Sequence, residues 1–318
     1  MKQHIYADNA ATTQLDKTAF EAMTPWLIEE YGNASQPYAF ARKPKKALAE
    51  ARCTIAECIG ALPEEIFFTS GGTESDNWVI KSSAFSDSEK RGMITSTFEH
   101  YAVLRSCAAI EHLGYPVAYM CPTKEGYITS EILWKYITDK TRLVSVMYAN
   151  NEIGSIQPIC ELCEIAHTHG ALFHTDAVQA VGHIKINVHE LGVDFLSASA
   201  HKFNGPKGIG FLYIRNGVEL LPYEDGGAQE SAHRAGTENV AAIVGMATAL
   251  KTNCDLLEQN QQHILNLERH LVTQLNEAGV VYKRNGGDSK LPGLLSLSFP
   301  GKDGEAILHR MDLMGISI

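Results

Sequence analysis

The sequence lacks the features that would place it in a membrane or on nucleic acid. Its longest apolar stretch runs from Val240 to Leu250, with Thr248 inside it, and this is too short to span a bilayer. No apolar segment follows Lys2, so we do not expect a signal peptide. The formal net charge is −10, without blocks of like charge, which argues against a nucleic-acid-binding face. We therefore expect neither membrane nor nucleic-acid partners.

Cysteine is sparse and irregularly placed. The chain has seven cysteines, and an odd number at uneven spacing indicates free thiols in a reducing compartment, which predicts a cytoplasmic protein. Internal repeats and low-complexity segments are also missing. With 318 residues, the chain can bury a large core and should form about two domains.

Strand-like apolar runs alternate with helical patterns from Phe67 to Tyr213. This order predicts an α/β fold, with a mostly parallel central sheet covered by helices on both faces. We expect a large domain over residues 14–255. A smaller α+β domain would combine residues 1–13 with 256–318, with a strand at 280–282. The long helical pattern after Asn239 should break near Cys254.

A short motif supplies the first candidate for chemistry. Ser199, His201 and Lys202 follow a buried strand pattern and precede a glycine-rich turn, Gly205–Gly210. Ser199 and His201 can donate hydrogen bonds to an anion. A lysine beside such a site suits a Schiff base with an aldehyde cofactor. Taken alone, the motif favours a surface lysine in a turn.

A second strand pattern strengthens the cofactor hypothesis. The stretch 171–179 carries Asp176 toward its C-terminal end, 26 residues before Lys202. Pyridoxal phosphate needs a lysine for its aldehyde, a carboxylate that keeps its ring nitrogen protonated, and a phosphate site. Lys202 and Asp176, at the ends of neighbouring strands, would provide the first two.

A glycine turn provides the phosphate site. Ser70–Thr73 follows a predicted strand and opens a predicted helix, whose first N–H groups have no partner inside the helix. The turn matches neither a dinucleotide-binding fingerprint nor a P-loop. Together with Ser199 and His201, it predicts a pyridoxal phosphate site in which Gly72 and Thr73 contact the phosphate.

In combination, these motifs resemble the cysteine desulfurases of the class V aminotransferase group. The resemblance runs from Tyr6 to the last residue, and its signatures are Thr69–Asn77, Asn150–Gly154 and Ser199–Lys202. It implies a fold-type I enzyme that binds pyridoxal 5'-phosphate and converts L-cysteine to L-alanine and a protein persulfide. It further implies a homodimer that passes sulfur to an acceptor protein, for iron–sulfur clusters or for thiolated cofactors and tRNA.

The resemblance also implies roles for individual side chains. His100 would stack on the cofactor ring and join Lys202 and Asp176 as a catalytic residue. Asn151 would lie near the substrate carboxylate and the ring oxygen, and Gln179 would bond to that oxygen. Thr237 would reach the phosphate of the partner subunit. From the residues alone, His100 and Thr237 could instead be helix caps, and the double asparagine could simply shape its loop.

The chain departs from the family at its end. Family members continue beyond the segment Gly315–Ile318 into a loop with a nucleophilic cysteine, and then to an arginine for the substrate carboxylate. None of the seven cysteines lies where that motif requires it. We therefore expect the C-terminal part of the small domain to be missing. Truncation of the chain is the favoured explanation, and a partial relative that needs another polypeptide for the missing piece is the alternative. An aminotransferase, a selenocysteine lyase or an inactive pyridoxal-phosphate-binding scaffold for sulfur transfer remain alternative functions.

One further motif carries metal-ligating residue types. Cys160, Cys163, His167 and His169 share one predicted helix, and thiols with imidazoles can bind zinc. Structural zinc sites usually pair two separate ligand segments, and the sequence offers no second one. We expect an ordinary helix and no metal site.

Overall fold

A computed structural model describes residues 4–86 and 89–318 of the chain. The strands are β1 Ile5–Tyr6, β2 Ile66–Thr69, β3 Gly92–Ser96, β4 Val117–Met120, β5 Thr141–Ser145, β6 Leu172–Asp176, β7 Phe195–Ser199, β8 Gly210–Ile214, β9 Lys283–Arg284, β10 Leu297–Ser298 and β11 Ile316–Ser317. The helices are α1 Lys17–Ile28, α2 Arg42–Ile59, α3 Gly72–Phe85, α4 Tyr101–His112, α5 Ser130–Trp134, α6 Ile159–Thr168, α7 Val188–Leu191, α8 Val240–Asp255, α9 Leu257–Glu277 and α10 Gly304–Leu313.

Seven strands form the central sheet in the order β2-β8-β7-β6-β5-β3-β4. From β7 to β4 all neighbours are parallel, whereas β8 is antiparallel to both β7 and β2. The predicted α/β fold with a mostly parallel sheet is therefore confirmed. The reversal of β8 follows from its short connection to β7, because a parallel return requires a longer crossover.

Helices cover both faces of this sheet. Neighbouring strand residues point to opposite faces, so β7 sends Leu196 into one core and Phe195 into the other. The first core also contains apolar residues of α2 and α8, and the second contains those of α3 and α4. The two cores bury the sheet on both sides, as is typical of parallel sheets.

The direction of the strands decides where the loops meet. Strands β2, β3, β5, β6 and β7 all run the same way, since each is parallel to its neighbour or separated from it by the reversed β8. Their carboxyl ends therefore lie along one edge. Ligands of open α/β sheets bind at such an edge.

Residues 256–318 form smaller structures beside the sheet. Strand β9 pairs antiparallel with β10, and β1 pairs parallel with β11. Helices α9 and α10 contain no buried residue. A strand predicted at 280–282 is wrong: the N–H of Val280 bonds to the Leu275 carbonyl at 3.0 Å and closes helix α9, so strand pairing begins only at Lys283.

The predicted break in the long helical region is confirmed at Leu256, which separates α8 from α9. The assignment of residues to two domains stays a prediction. Across the described ranges, no one helix has the length and apolar character to cross a membrane. Helices α8 and α9 reach those limits together, as a pair bent by 71°.

Candidate active site

A cavity of about 700 Å³ opens at the carboxyl ends of the strands. All predicted cofactor residues except Thr237 line it: Gly72, Thr73, His100, Asn151, Asp176, Gln179, Ser199, His201 and Lys202. They come from five separate segments of the chain. The fold therefore assembles in one place the residues that the sequence motifs predicted separately.

The N-terminus of α3 forms one end of the cavity. Gly71 precedes the helix with φ of 149°, and no side chain caps the helix at this residue. A Cβ atom on Gly72 would lie only 2.4 Å from Cγ2 of Val178, and one on Gly71 would lie 3.3 Å from Oγ of Ser199. The two glycines thus keep free the N–H groups of a helix terminus, which suits a phosphate.

His201 lines the same cavity as this terminus. Its Nδ1 is 3.1 Å from Oγ1 of Thr12, and burial lowers the pKa of the imidazole, as do the charges of Lys202 and Lys207. Lys207 lines the same cavity. The charges of Lys202 and Lys207, together with the buried hydroxyl of Ser199, favour an anionic ligand in this cavity.

Lys202 ends the short 3₁₀ turn that follows β7. Its Nζ donates to the carbonyl oxygens of Ala10 and Ala11, the latter at 2.9 Å. Burial lowers the pKa of this amine, and the carboxylates of Asp176 and Asp8 oppose that shift. A lysine held partly desolvated in this way is a better nucleophile for an aldehyde than an exposed one.

The N-terminal segment closes one wall of the cavity. The Ala10 carbonyl also accepts a bond from Nε2 of Gln179 at 2.9 Å. Farther along, the Thr13 N–H donates to the His201 carbonyl at 2.9 Å. These contacts hold residues 10–13 next to the cavity.

Asp176 ends β6 and is 5% exposed. Burial raises the pKa of its carboxyl group, while the Val178 N–H at 2.9 Å and the positive charges of His100 and Lys202 act in the opposite direction. A buried carboxylate is stabilised by an adjacent cation. A protonated ring nitrogen of a bound cofactor would be such a cation, so Asp176 fits its predicted role.

His100 serves as the N-cap of α4. Its Nδ1 accepts a hydrogen bond from the Ala102 N–H at 3.1 Å, which places the proton of the neutral ring on Nε2. The imidazole also lines the cavity. The two uses considered from the sequence are therefore compatible, while stacking on a cofactor ring stays a prediction.

The two adjacent asparagines divide their tasks. Oδ1 of Asn150 accepts from the N–H groups of Glu152 and Ile153 at 2.9 and 3.0 Å, and its amide donates to the Phe98 carbonyl. Asn150 thus shapes the loop. Asn151 lines the cavity.

Thr237 lies outside the cavity of its own chain. It borders a separate cavity of about 200 Å³ together with Gly236 and Ser70. The helix-cap alternative for Thr237 is wrong, because Oδ1 of Asn239 caps α8 by accepting from the Ala242 N–H at 3.2 Å. Its role toward a partner subunit stays a prediction.

Three buried titratable residues near the site were missed from the sequence. Asp76 lines the cavity, Glu99 accepts from the Met147 N–H at 2.9 Å, and His174 bonds to the Ser145 hydroxyl at 2.8 Å. The signal that could have revealed these three residues is a polar side chain inside an otherwise apolar sequence pattern. One side-chain atom each of Asp76, His100 and Asp176 lie within 4.8 Å of one another.

The Cys160–His169 helix makes ordinary contacts. The Cys163 thiol donates to the Gly192 carbonyl at 3.0 Å, and Nε2 of His167 lies 2.8 Å from Oδ2 of Asp194. Helix α6 thus uses these side chains to pack against the segment before β7.

Seven free cysteines are distributed over the molecule, and in the described parts of the chain none of them lines the cavity. Six of them lie in helices: Cys53, Cys58, Cys107, Cys160, Cys163 and Cys254. Burial raises the pKa of the Cys107 thiol to about 12. No described thiol is placed to attack a ligand in this site.

Comparison with known proteins identifies the class of enzyme to which this fold and this cavity belong. The Aminotransferase class-V family matches residues 5–318, and the chain belongs to this family. Within it, the chain is a member of the cysteine desulfurase group. Cysteine desulfurase IscS of Dictyoglomus turgidum is 46% identical over 320 residues, which cover 100% of this chain and 81% of the relative.

Solved structures agree with the sequence relatives. A NifS-like protein superimposes with a TM-score of 0.96 at 38% identity, over 99% of this chain and 87% of that one. A structure described as SspA in complex with cysteine gives a TM-score of 0.86 at 35% identity, over 97% and 86%. The predicted family is thereby confirmed.

Proposed function

We propose that the protein is a cysteine desulfurase that binds pyridoxal 5'-phosphate in the cavity at the strand ends. The observation that carries the proposal is the meeting of Lys202, Asp176 and the glycine turn before α3 in one pocket. A bound pyridoxal phosphate would supply a ring that accepts the electrons left when the substrate loses its α-proton. The family membership of the chain supports the same function.

The residues of the chain would share the work as follows. The α3 terminus with Thr73, Ser199 and His201 would hold the phosphate. Asp176 would keep the ring nitrogen protonated. Lys202, whose pKa is lowered by burial, would take up and return the proton at the substrate α-carbon.

His100 and Asn151 would orient the substrate. Nε2 of His100 carries the proton of the neutral ring, since Nδ1 accepts the Ala102 N–H, and can donate it to a polar atom in the cavity. The Asn151 amide would bond to the substrate carboxylate, and Gln179 to the cofactor ring oxygen. L-cysteine is the proposed substrate, in line with the names of the relatives.

The sulfur chemistry needs a thiolate that attacks the substrate sulfur and becomes a persulfide, with alanine as the second product. Only a deprotonated thiol is a good nucleophile. The described cysteines lie outside the cavity, so this step is the part of the reaction for which no described residue is placed. An acceptor protein would take the sulfur onward, and we propose a cytoplasmic location.

A homodimer completes the proposed site. Thr237 lies outside the cavity of its own chain, next to a separate opening that Ser70 also borders. In a dimer, Thr237 would bond to the cofactor phosphate of the partner subunit. A homodimer thus explains why a residue of the predicted phosphate site lies away from the other members.

The experiment that tests the function measures deuterium incorporation at the α-carbon of L-cysteine by the protein with pyridoxal phosphate. We expect exchange with the wild type, loss of exchange with Lys202→Ala, and unchanged exchange with Asp139→Asn, an exposed control. Exchange that persists in Lys202→Ala would contradict the proposal. Formation of an oxo acid from the substrate would instead favour an aminotransferase.

A further inference from the structure

Two buried aspartates stand side by side in the active site. One carboxylate oxygen of Asp76 and one of Asp176 lie within 4.8 Å of each other and of a ring nitrogen of His100. Asp76 comes from α3 and is 1% exposed, and Asp176 ends β6 and is 5% exposed. Two carboxyl groups this close in a buried place cannot both be charged without strong repulsion.

The surroundings of the two carboxyl groups differ. Asp176 accepts the Val178 N–H at 2.9 Å, and the charge of Lys202 stabilises its anionic form. Asp76 has less support, because its Oδ1 is buried without a hydrogen-bond partner and only the Ser197 side chain favours its charged form by a hydrogen bond. The charged form of the pair is therefore stabilised more at Asp176 than at Asp76.

Among the described residues, no positive charge lowers the pKa of Asp76. Nε2 of His174 lies 3.5 Å from Oδ1 of Asp76, but complete burial lowers the pKa of that imidazole to about 3, so it is neutral at pH 7. The nearby Glu99 carboxyl has its pKa raised to about 8 by burial. The titratable groups that face Asp76 from the neighbouring elements are Asp176 and His174 of β6, Glu99 and His100 between β3 and α4, and Cys107 of α4.

We propose that Asp76 is a positioning residue that keeps its proton, so that Asp176 carries the single negative charge of the pair. The proton lies on the carboxyl group whose Oδ1 has no hydrogen-bond partner, and the charge lies on the one that the Val178 N–H and the Lys202 charge stabilise. For its catalytic meaning the inference rests on the proposed function, since Asp176 would then offer one undivided charge to the cofactor ring nitrogen. Burial and the neighbouring Asp176 charge raise the pKa of Asp76 and outweigh the Ser197 hydrogen bond, which lowers it, in agreement with this arrangement.

Carbon-13 NMR of the purified protein with ¹³Cγ-labelled aspartate tests the inference. The variants Asp76→Asn and Asp176→Asn assign the two resonances by their disappearance, with Asp139→Asn as an exposed control. Near pH 7 we expect the shift of a carboxylic acid for Asp76 and of a carboxylate for Asp176. The reverse order, or two carboxylate shifts, would overturn the proposal.

A second arm measures the coupling and does not require Asp76→Asn to fold. In Asp176→Asn the neighbouring charge is removed, so the titration midpoint of Asp76 should move to lower pH by about one unit or more. An unmoved midpoint would mean that the two groups do not interact and would also overturn the proposal. Both readouts are taken without turnover and can be made with or without added cofactor. A failure here is therefore distinguishable from a failure of the proposed desulfurase activity.

Discussion

The substitution Gly72→Ala is a sharp test of the predicted phosphate site, because the structure shows which atoms the added methyl group would meet. A Cβ atom at this position would approach Cγ2 of Val178 to 2.4 Å, about 1 Å closer than the 3.4 Å at which ordinary van der Waals contact begins. Val178 is β-branched and turns only with difficulty at χ1. Either Val178 or the first turn of α3 must therefore move.

Both movements damage the site. Displacement of α3 withdraws the helix terminus from the phosphate position, and displacement of Val178 disturbs the N–H that Asp176 accepts at 2.9 Å. Overpacking of this kind costs about 1–3 kcal/mol. Taken as lost binding free energy, this corresponds to a dissociation constant for pyridoxal phosphate weakened by about 5- to 150-fold.

The assay is cofactor titration followed by absorbance, with two companion variants. Gly72→Ala with Val178→Ala removes the clashing methyl group and should recover much of the affinity. Gly304→Ala is the control, because a Cβ atom there meets nothing within 4 Å. Cofactor affinity in Gly72→Ala equal to that of the wild type would refute the assigned phosphate site, as would a failure of the double variant to improve on the single one.

Four further predictions follow from the site. Asp176→Asn should leave the fold intact yet abolish α-deuterium exchange in L-cysteine, and near-normal exchange would reject its assigned role. Mixing Lys202→Ala with Thr237→Ala should restore exchange through hybrid dimers that contain one intact site, whereas no recovery, or a monomer in sedimentation, would count against the dimer. Folding raises the pKa of Glu99 from 4.5 to about 8, so the folded state holds this proton more tightly. The free energy of unfolding of the wild type should therefore decrease, relative to Glu99→Gln, as the pH rises from 4.5 to about 8. Equal pH slopes of the two proteins in urea unfolding would contradict this. With no described thiol in the cavity, sulfide release from L-cysteine by this chain should stay at background, and robust release lost on changing one cysteine to serine would identify a nucleophile that we missed.

The site residues that could be predicted from the sequence are those whose positions follow from the local pattern of strands, turns and helices. Lys202 and Asp176 each follow an apolar strand pattern, and parallel strands bring their carboxyl ends to one edge whatever the details of packing. The glycine turn before α3 was recognisable for the same reason. These residues meet in the cavity as expected.

Features that depend on contacts between distant segments were not predictable in this way. His174 lies opposite Ser145 only because of the register between β5 and β6, and no local pattern sets that register. The pairing of Asp76 with Asp176 depends on how α3 packs against the sheet. Likewise, the strand expected at 280–282 does not form, because the N–H of Val280 bonds to the end of helix α9 and not to another strand.

Reduction with borohydride in the presence of pyridoxal phosphate, followed by peptide mapping, tests the central claim most directly. A lysine joined to the cofactor aldehyde is fixed by this treatment, so the modified residue identifies the one that carries the cofactor. We predict a pyridoxyl group on Lys202 and none on Lys207, which lines the same cavity. A pyridoxyl group on any other lysine, or on none, would contradict the assignment of this site.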